Sequence, residues 1–83
     1  MSDPEREKKL EQLEACRKFA EQAYDDMYER AHSPSAATGY YSDAKEALYD
    51  AIRLARELGL EEEVTRLEAR LAHIKAIFRS QFA

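Results

Sequence analysis

Apolar residues recur along this chain with the period of an α-helix in three successive segments. The clearest repeat is the last, where the apolar positions alternate in steps of four and three residues: Leu60, Val64, Leu67, Leu71, Ile74 and Phe78. Such steps place every member on one face of a helix. We therefore predict a helix over about residues 61–80 that buries this stripe.

The first segment predicts a long helix over about residues 4–31. Asp3 followed by Pro4 is typical of a helix start, because an aspartate side chain caps free amide groups and proline is tolerated at the first position. Its apolar face is broad, as expected of a helix that covers two neighbours. That face comprises Leu10, Leu13, Cys16, Ala20, Ala23, Tyr24, Met27, Tyr28 and Ala31.

The middle segment predicts a helix over about residues 34–58, with Ser33 as its cap. A later start at Ser42 is the alternative, but the apolar phase runs unbroken through Gly39 and favours the early one. Gly59 suits the left-handed residue that ends a helix, and so short a connection makes the last two helices antiparallel. We predict an all-α, up-down-up three-helix bundle that forms a single domain over residues 1–83.

Size, charge and hydropathy exclude several classes of protein. With 83 residues, the chain is near the size at which one core is only just sufficient, so a partner chain would add burial. Its net charge is −4, with basic and acidic residues interleaved, so we expect no nucleic-acid partner. No apolar run reaches the roughly 20 residues that cross a bilayer. We expect no membrane partner, no signal peptide and a cytoplasmic location, which the single cysteine also favours.

No motif for catalysis or for metal binding stands out. His32 and His73 each lack a second nitrogen or sulfur ligand one helical turn away, as a zinc site would require. Cys16 falls within the apolar face of the first helix, where a small core residue is expected rather than a nucleophile. We therefore predict no enzymatic activity, no cofactor and no metal site.

Aromatic residues that the bundle does not account for are the first candidates for function. Phe19 lies roughly 110° from the centre of the first helix's stripe, beside Ala15 and Ala23. Tyr49 lies nearly opposite the stripe of the second helix, and tyrosine is favoured at protein interfaces.

Ile52 and Ile77 are displaced to the flanks of their stripes in a similar way. Either a wide core takes up Phe19, Ile52 and Ile77, or these residues form an apolar patch of the kind that marks a binding site. Our hypothesis is the second, and the protein-binding residues that we predict are Ala15, Cys16, Phe19, Ala23, Tyr49 and Ile77.

Two stretches in the second half of the chain carry a resemblance to known proteins. Residues 41–52 (YSDAKEALYDAI) and 72–82 (AHIKAIFRSQF) resemble a family of short, uncharacterised bacterial helical proteins. The resemblance implies no enzymatic activity, and it implies that Tyr49 and Ile77 belong to the family's own pattern. The segment around Phe19 matches less well, and an aromatic anchor at an outward helix position is typical of engineered binders.

Three functions are compatible with these observations. The first is a non-enzymatic helical interaction domain that binds another protein, or a second copy as a homodimer, through the helix surface around Phe19. The second is an engineered binder of a foreign protein built on a natural scaffold. A monomer with exposed Phe19 would favour this function. The third, of another class, is a small ligand carrier or enzyme with a pocket lined by Tyr24, Tyr28, Tyr40 and Tyr41.

Overall fold

A computed structural model describes residues 3–81, which form three α-helices joined by short connections. The helices are α1 (Pro4–Glu29), α2 (Pro34–Glu57) and α3 (Glu61–Gln81). Helix α1 packs against α2 and α2 packs against α3, which confirms the prediction of an all-α three-helix bundle. Residues 1–2 and 82–83, which the predicted domain includes, lie outside the described part.

The predicted capping residues start the first two helices. The Asp3 carboxylate accepts hydrogen bonds from the backbone N–H groups of Glu5 (3.0 Å) and Arg6 (3.4 Å). Ser33 is extended, and its Oγ accepts from the N–H of Ala36 at 3.2 Å. The second helix thus begins at Pro34 and continues through residue 39, so the early start is confirmed. The first helix ends two residues sooner than predicted, since the chain must straighten before Ser33 can act as a cap.

The connection between α2 and α3 is a Schellman motif. Gly59 adopts φ +72°, a left-handed conformation that favours glycine. The N–H of Leu60 donates to the carbonyl of Ala55 (2.9 Å), and the N–H of Gly59 donates to that of Arg56 (3.0 Å). The helices it joins are consequently antiparallel.

The core is centred on α2, whose buried face is rich in alanine. Small buried residues allow neighbouring backbones to approach closely, and those of α2 are Ala37, Ala44, Ala47, Ala51 and Ala55. The largest fully buried side chains come one from each helix: Met27, Leu48 and Ile74. The molecule measures 50 × 20 × 13 Å, so the bundle is elongated and flat.

Helices α1 and α3 are joined mainly through charged and aromatic side chains. The guanidinium of Arg70 donates two hydrogen bonds to the Glu21 carboxylate, at 2.8 and 2.7 Å, and it lies 4.7 Å from the centre of the Tyr24 ring. Arg17 on α1 pairs with Glu63 on α3 at 3.3 Å. One side of α1 is therefore turned towards α3, which leaves its opposite side free of contact with that helix.

Candidate functional site

Phe19 is the most exposed large hydrophobic side chain among residues 3–81. It is 55% exposed, compared with 39% for Leu10, 43% for Tyr28 and 50% for Tyr49. The reason is its position on α1. Two residues away in either direction, roughly 200° around the helix, Arg17 and Glu21 reach α3. Phe19 consequently points out of the bundle, as its place in the sequence pattern predicts.

The ring of Phe19 borders a shallow groove between α1 and α2, with a volume of about 410 Å³. We call this the Phe19 surface. One wall comes from α1 and the other from α2, and the residues that line it are Ala15, Cys16, Phe19, Asp43, Glu46, Ala47 and Asp50. Within the described part of the chain, its lining includes no residue of α3 and no cationic side chain.

The predicted binding residues separate into different environments. Ala15 and Cys16 line the Phe19 surface together with Phe19. Ala23, however, is only 5% exposed and does not line this groove, so the structure does not place it on the Phe19 surface. Its Cβ is rotated by about 40° from that of Phe19 towards α2, which is enough to bury a side chain at the edge of a contact. Ile77 is half-buried on α3 and does not line the Phe19 surface.

The sequence leaves two alternatives for Phe19, Ile52 and Ile77, namely burial in a wide core or exposure in an apolar patch. The structure shows burial for one of these residues and exposure for another. Ile52 is 5% exposed and lies within the core cluster, so a wide core does take up this residue. Phe19 stays outside it. The exposed patch is therefore smaller than a surface that includes all three residues.

Tyr49 lies on a different face of the molecule, where α2 meets α3. It lines a separate groove of about 360 Å³ with Leu71 and Lys75. Lys75 Nζ donates a hydrogen bond to the phenolic oxygen at 2.9 Å. This hydrogen bond, together with the charges of Lys75 and Lys45, lowers the pKa of Tyr49. Tyr49 is thus an exposed aromatic residue with a partner of its own, and it does not belong to the Phe19 surface.

The lowered pKa of Tyr49 leads to a prediction for its titration. An ammonium group stabilises the phenolate and lowers the pKa of Tyr49, whereas burial raises the pKa of Tyr24. Tyr49 should therefore ionise at a lower pH than Tyr24. Replacing Lys75 with methionine should move the pKa of Tyr49 back up to the usual range, as measured by ultraviolet absorbance of the phenolate across a pH titration. The variant Lys45→Met is the control, because Lys45 acts on Tyr49 through charge alone and should produce a smaller shift. An unchanged titration in Lys75→Met would contradict the hydrogen bond.

Cys16 is half-buried at the rim of the core rather than within it. Burial raises the pKa of its thiol, and the nearby carboxylate of Asp50 raises it further, while Arg53 opposes the effect. The thiol is therefore protonated at neutral pH, which makes it a weak nucleophile. In residues 3–81, no group of three or more His, Cys, Asp or Glu side chains is arranged to hold a metal ion.

Three of the four tyrosines proposed to line a ligand pocket pack against other aromatic rings in separate places. Tyr24 and Tyr28 meet edge to face with their ring centres 5.3 Å apart. Tyr41 stacks on Phe78 at 3.9 Å. Five grooves on residues 3–81 are lined by side chains other than these four tyrosines. This arrangement does not support a ligand carrier or an enzyme with a tyrosine-lined pocket.

The carboxylates of the Phe19 surface are the functional candidates that the sequence analysis missed. Asp43, Glu46 and Asp50 follow one another at steps of three and four residues, so their position on one face of α2 could be inferred from the sequence. The sequence pattern did not indicate that this face borders Phe19, because that depends on how α1 is rotated against α2.

Comparisons with known proteins identify no function for the residues of the Phe19 surface. No family model, no curated protein and no solved structure matches the chain. The resemblance of residues 41–52 and 72–82 to short bacterial helical proteins stays a prediction. Within residues 3–81, none of the helices combines the length and apolarity needed to traverse a bilayer.

Proposed function

We propose that this chain is a non-enzymatic protein-interaction domain that binds another polypeptide through the Phe19 surface. The observation that carries the proposal is the 55% exposure of Phe19 at the border of a groove between two helices. Unlike tyrosine, phenylalanine has no polar tip that water can solvate. Burying its ring would contribute roughly 2 kcal/mol to an association.

The surroundings of the ring strengthen this proposal. A single exposed apolar residue is common on protein surfaces and needs no function. Here, however, the ring adjoins the small side chains of Ala15 and Ala47 in one concave strip, which a partner side chain can enter without steric conflict. The small size of the domain also means that burial against a partner adds noticeably to its stability.

The proposed partner is a protein, either a different chain or a second copy. The three carboxylates of the Phe19 surface argue against nucleic acid, because they repel phosphate groups. We also propose that the domain works in the cytoplasm, since its single cysteine suits a reducing compartment. An engineered binder of a foreign protein would use the same surface but would leave the chain monomeric, so the oligomeric state separates it from a self-associating domain.

The test measures association through the Phe19 surface directly. Sedimentation equilibrium gives the oligomeric state of the chain, and amide chemical shifts report the binding of three amphipathic helical peptides. These peptides share one apolar stripe and carry cationic, neutral or anionic flanks. We expect self-association or the binding of at least one peptide, and we expect Phe19→Glu to weaken it about thirtyfold.

The variant Tyr49→Glu is the matched control, because Tyr49 is an aromatic residue of similar exposure on another face. It should leave the association unchanged, and circular dichroism should show equal helicity in both variants. The proposal fails if the chain is monomeric and no peptide shifts the resonances of Ala15, Phe19 and Ala47. It also fails if Phe19→Glu leaves an observed association unaltered.

A further inference from the structure

The two walls of the Phe19 surface differ in chemistry. The α1 wall offers Ala15, Cys16 and the ring of Phe19, whereas the α2 wall offers three carboxylates beside Ala47. A partner that fills this groove must therefore present an apolar side to one wall and polar groups to the other. This asymmetry restricts the partner far more than the exposed ring does alone.

The carboxylates of the α2 wall are largely without cationic partners. Among residues 3–81, the side chains of Asp43 and Glu46 take part in none of the ion pairs of the molecule. Asp50 pairs with Arg53 alone in the described part of the chain, at 3.4 Å, and both side chains are more than half exposed. Such a surface pair is weak and can be exchanged for another. The wall thus presents a row of acceptors for incoming cations.

The spacing of this row matches a helix as the partner. Asp43, Glu46 and Asp50 cover two turns of α2, about 10 Å along its axis. A helix that lies in the groove and carries Lys or Arg at comparable steps would place each cation near one carboxylate. Its apolar residues on the adjacent side would then contact Phe19 and Ala15, as in other helix-in-groove complexes.

We infer that the partner of the Phe19 surface is a cationic amphipathic helix, which lies between α1 and α2 as a fourth helix of the bundle. This inference rests on the proposed function and names the chemistry of its partner. A second copy fits the surface less well, because a symmetric contact through the same groove supplies carboxylates from both sides and no cation from either.

The test compares the cationic and anionic peptides defined above, each about 12 residues long so that it covers the groove. The cationic peptide should bind in preference to the anionic one, and added salt should weaken its binding. The double variant Asp43→Asn/Glu46→Gln should weaken binding of the cationic peptide about fivefold. All of the substituted side chains are exposed, so the fold should be unaffected.

A control variant removes the same charge elsewhere. Glu29→Gln/Glu68→Gln changes two exposed carboxylates that do not line the Phe19 surface, and it should leave the affinity of the cationic peptide nearly unaltered. Equal weakening in both double variants would indicate only a general charge effect and would overturn the inference. The inference would also be overturned if the neutral or anionic peptide bound as tightly as the cationic peptide, or more tightly. A third contradicting result would be self-association of the chain that the cationic peptide does not disrupt. In these last cases, sensitivity to Phe19→Glu would still uphold the proposed function.

Discussion

Replacing Leu48 with alanine will destabilise the bundle by about 2–5 kcal/mol, which is the usual cost of truncating a buried leucine. Leu48 is 2% exposed and lies in the middle of α2, the helix that packs against both of the others. A domain of this length is stable by about 4–12 kcal/mol. The variant will therefore lose a large share of its stability, and it will be largely unfolded if the original protein is stable by only about 4–5 kcal/mol and the loss is about 5 kcal/mol.

Urea unfolding followed by circular dichroism will measure this loss. The matched control is Leu10→Ala, the same substitution at a position that is 39% exposed on α1. It should cost about 1 kcal/mol or less, since most of the side chain is already accessible to water. Equal losses in the two variants would show that the core is not centred on α2.

Enlarging a buried alanine of α2 will also destabilise the molecule, for the opposite reason. Ala51 is 0% exposed and sits within the core cluster, so a leucine there has no free space for its additional carbon atoms. Overpacking of this kind costs about 1–3 kcal/mol, because neighbouring side chains leave their preferred rotamers and the helices separate. The variant Ala51→Leu should show a lower urea midpoint.

The control for Ala51→Leu is Ala69→Leu on α3, where the alanine is exposed. That variant should stay within about 0.5 kcal/mol of the original protein, as most surface substitutions do. If Ala51→Leu were as stable as the original, the close approach of the helices at the alanine-rich face of α2 would be refuted.

Local signals in the chain account for most of the fold. Asp3 and Ser33 accept the hydrogen bonds that their positions before a proline predict. Gly59 takes the left-handed conformation expected at the end of α2. Capping and helical periodicity depend on residues within a few positions of one another, so they can be recognised without knowledge of the tertiary structure.

The candidate site could be predicted only in part. The helical phase of Phe19 indicated an outward ring, because that residue lies far from the centre of its stripe. For residues on the flank of a stripe, phase is not sufficient: Ile52 and Ala23 are buried although both were candidates for the surface. Their burial depends on which neighbouring helix passes over them, and at what rotation.

The pattern along the chain thus specified three helices, their ends and the outward direction of Phe19, since each of these depends on local hydrogen bonds and periodicity. The packing of the helices placed Lys75 within hydrogen-bonding distance of Tyr49, and it brought three carboxylates of α2 next to Phe19. These juxtapositions join residues more than 20 positions apart, and they arise from the rotation of each helix about its axis. That rotation is set by how buried side chains of different helices fit together, and no short stretch of sequence contains this information.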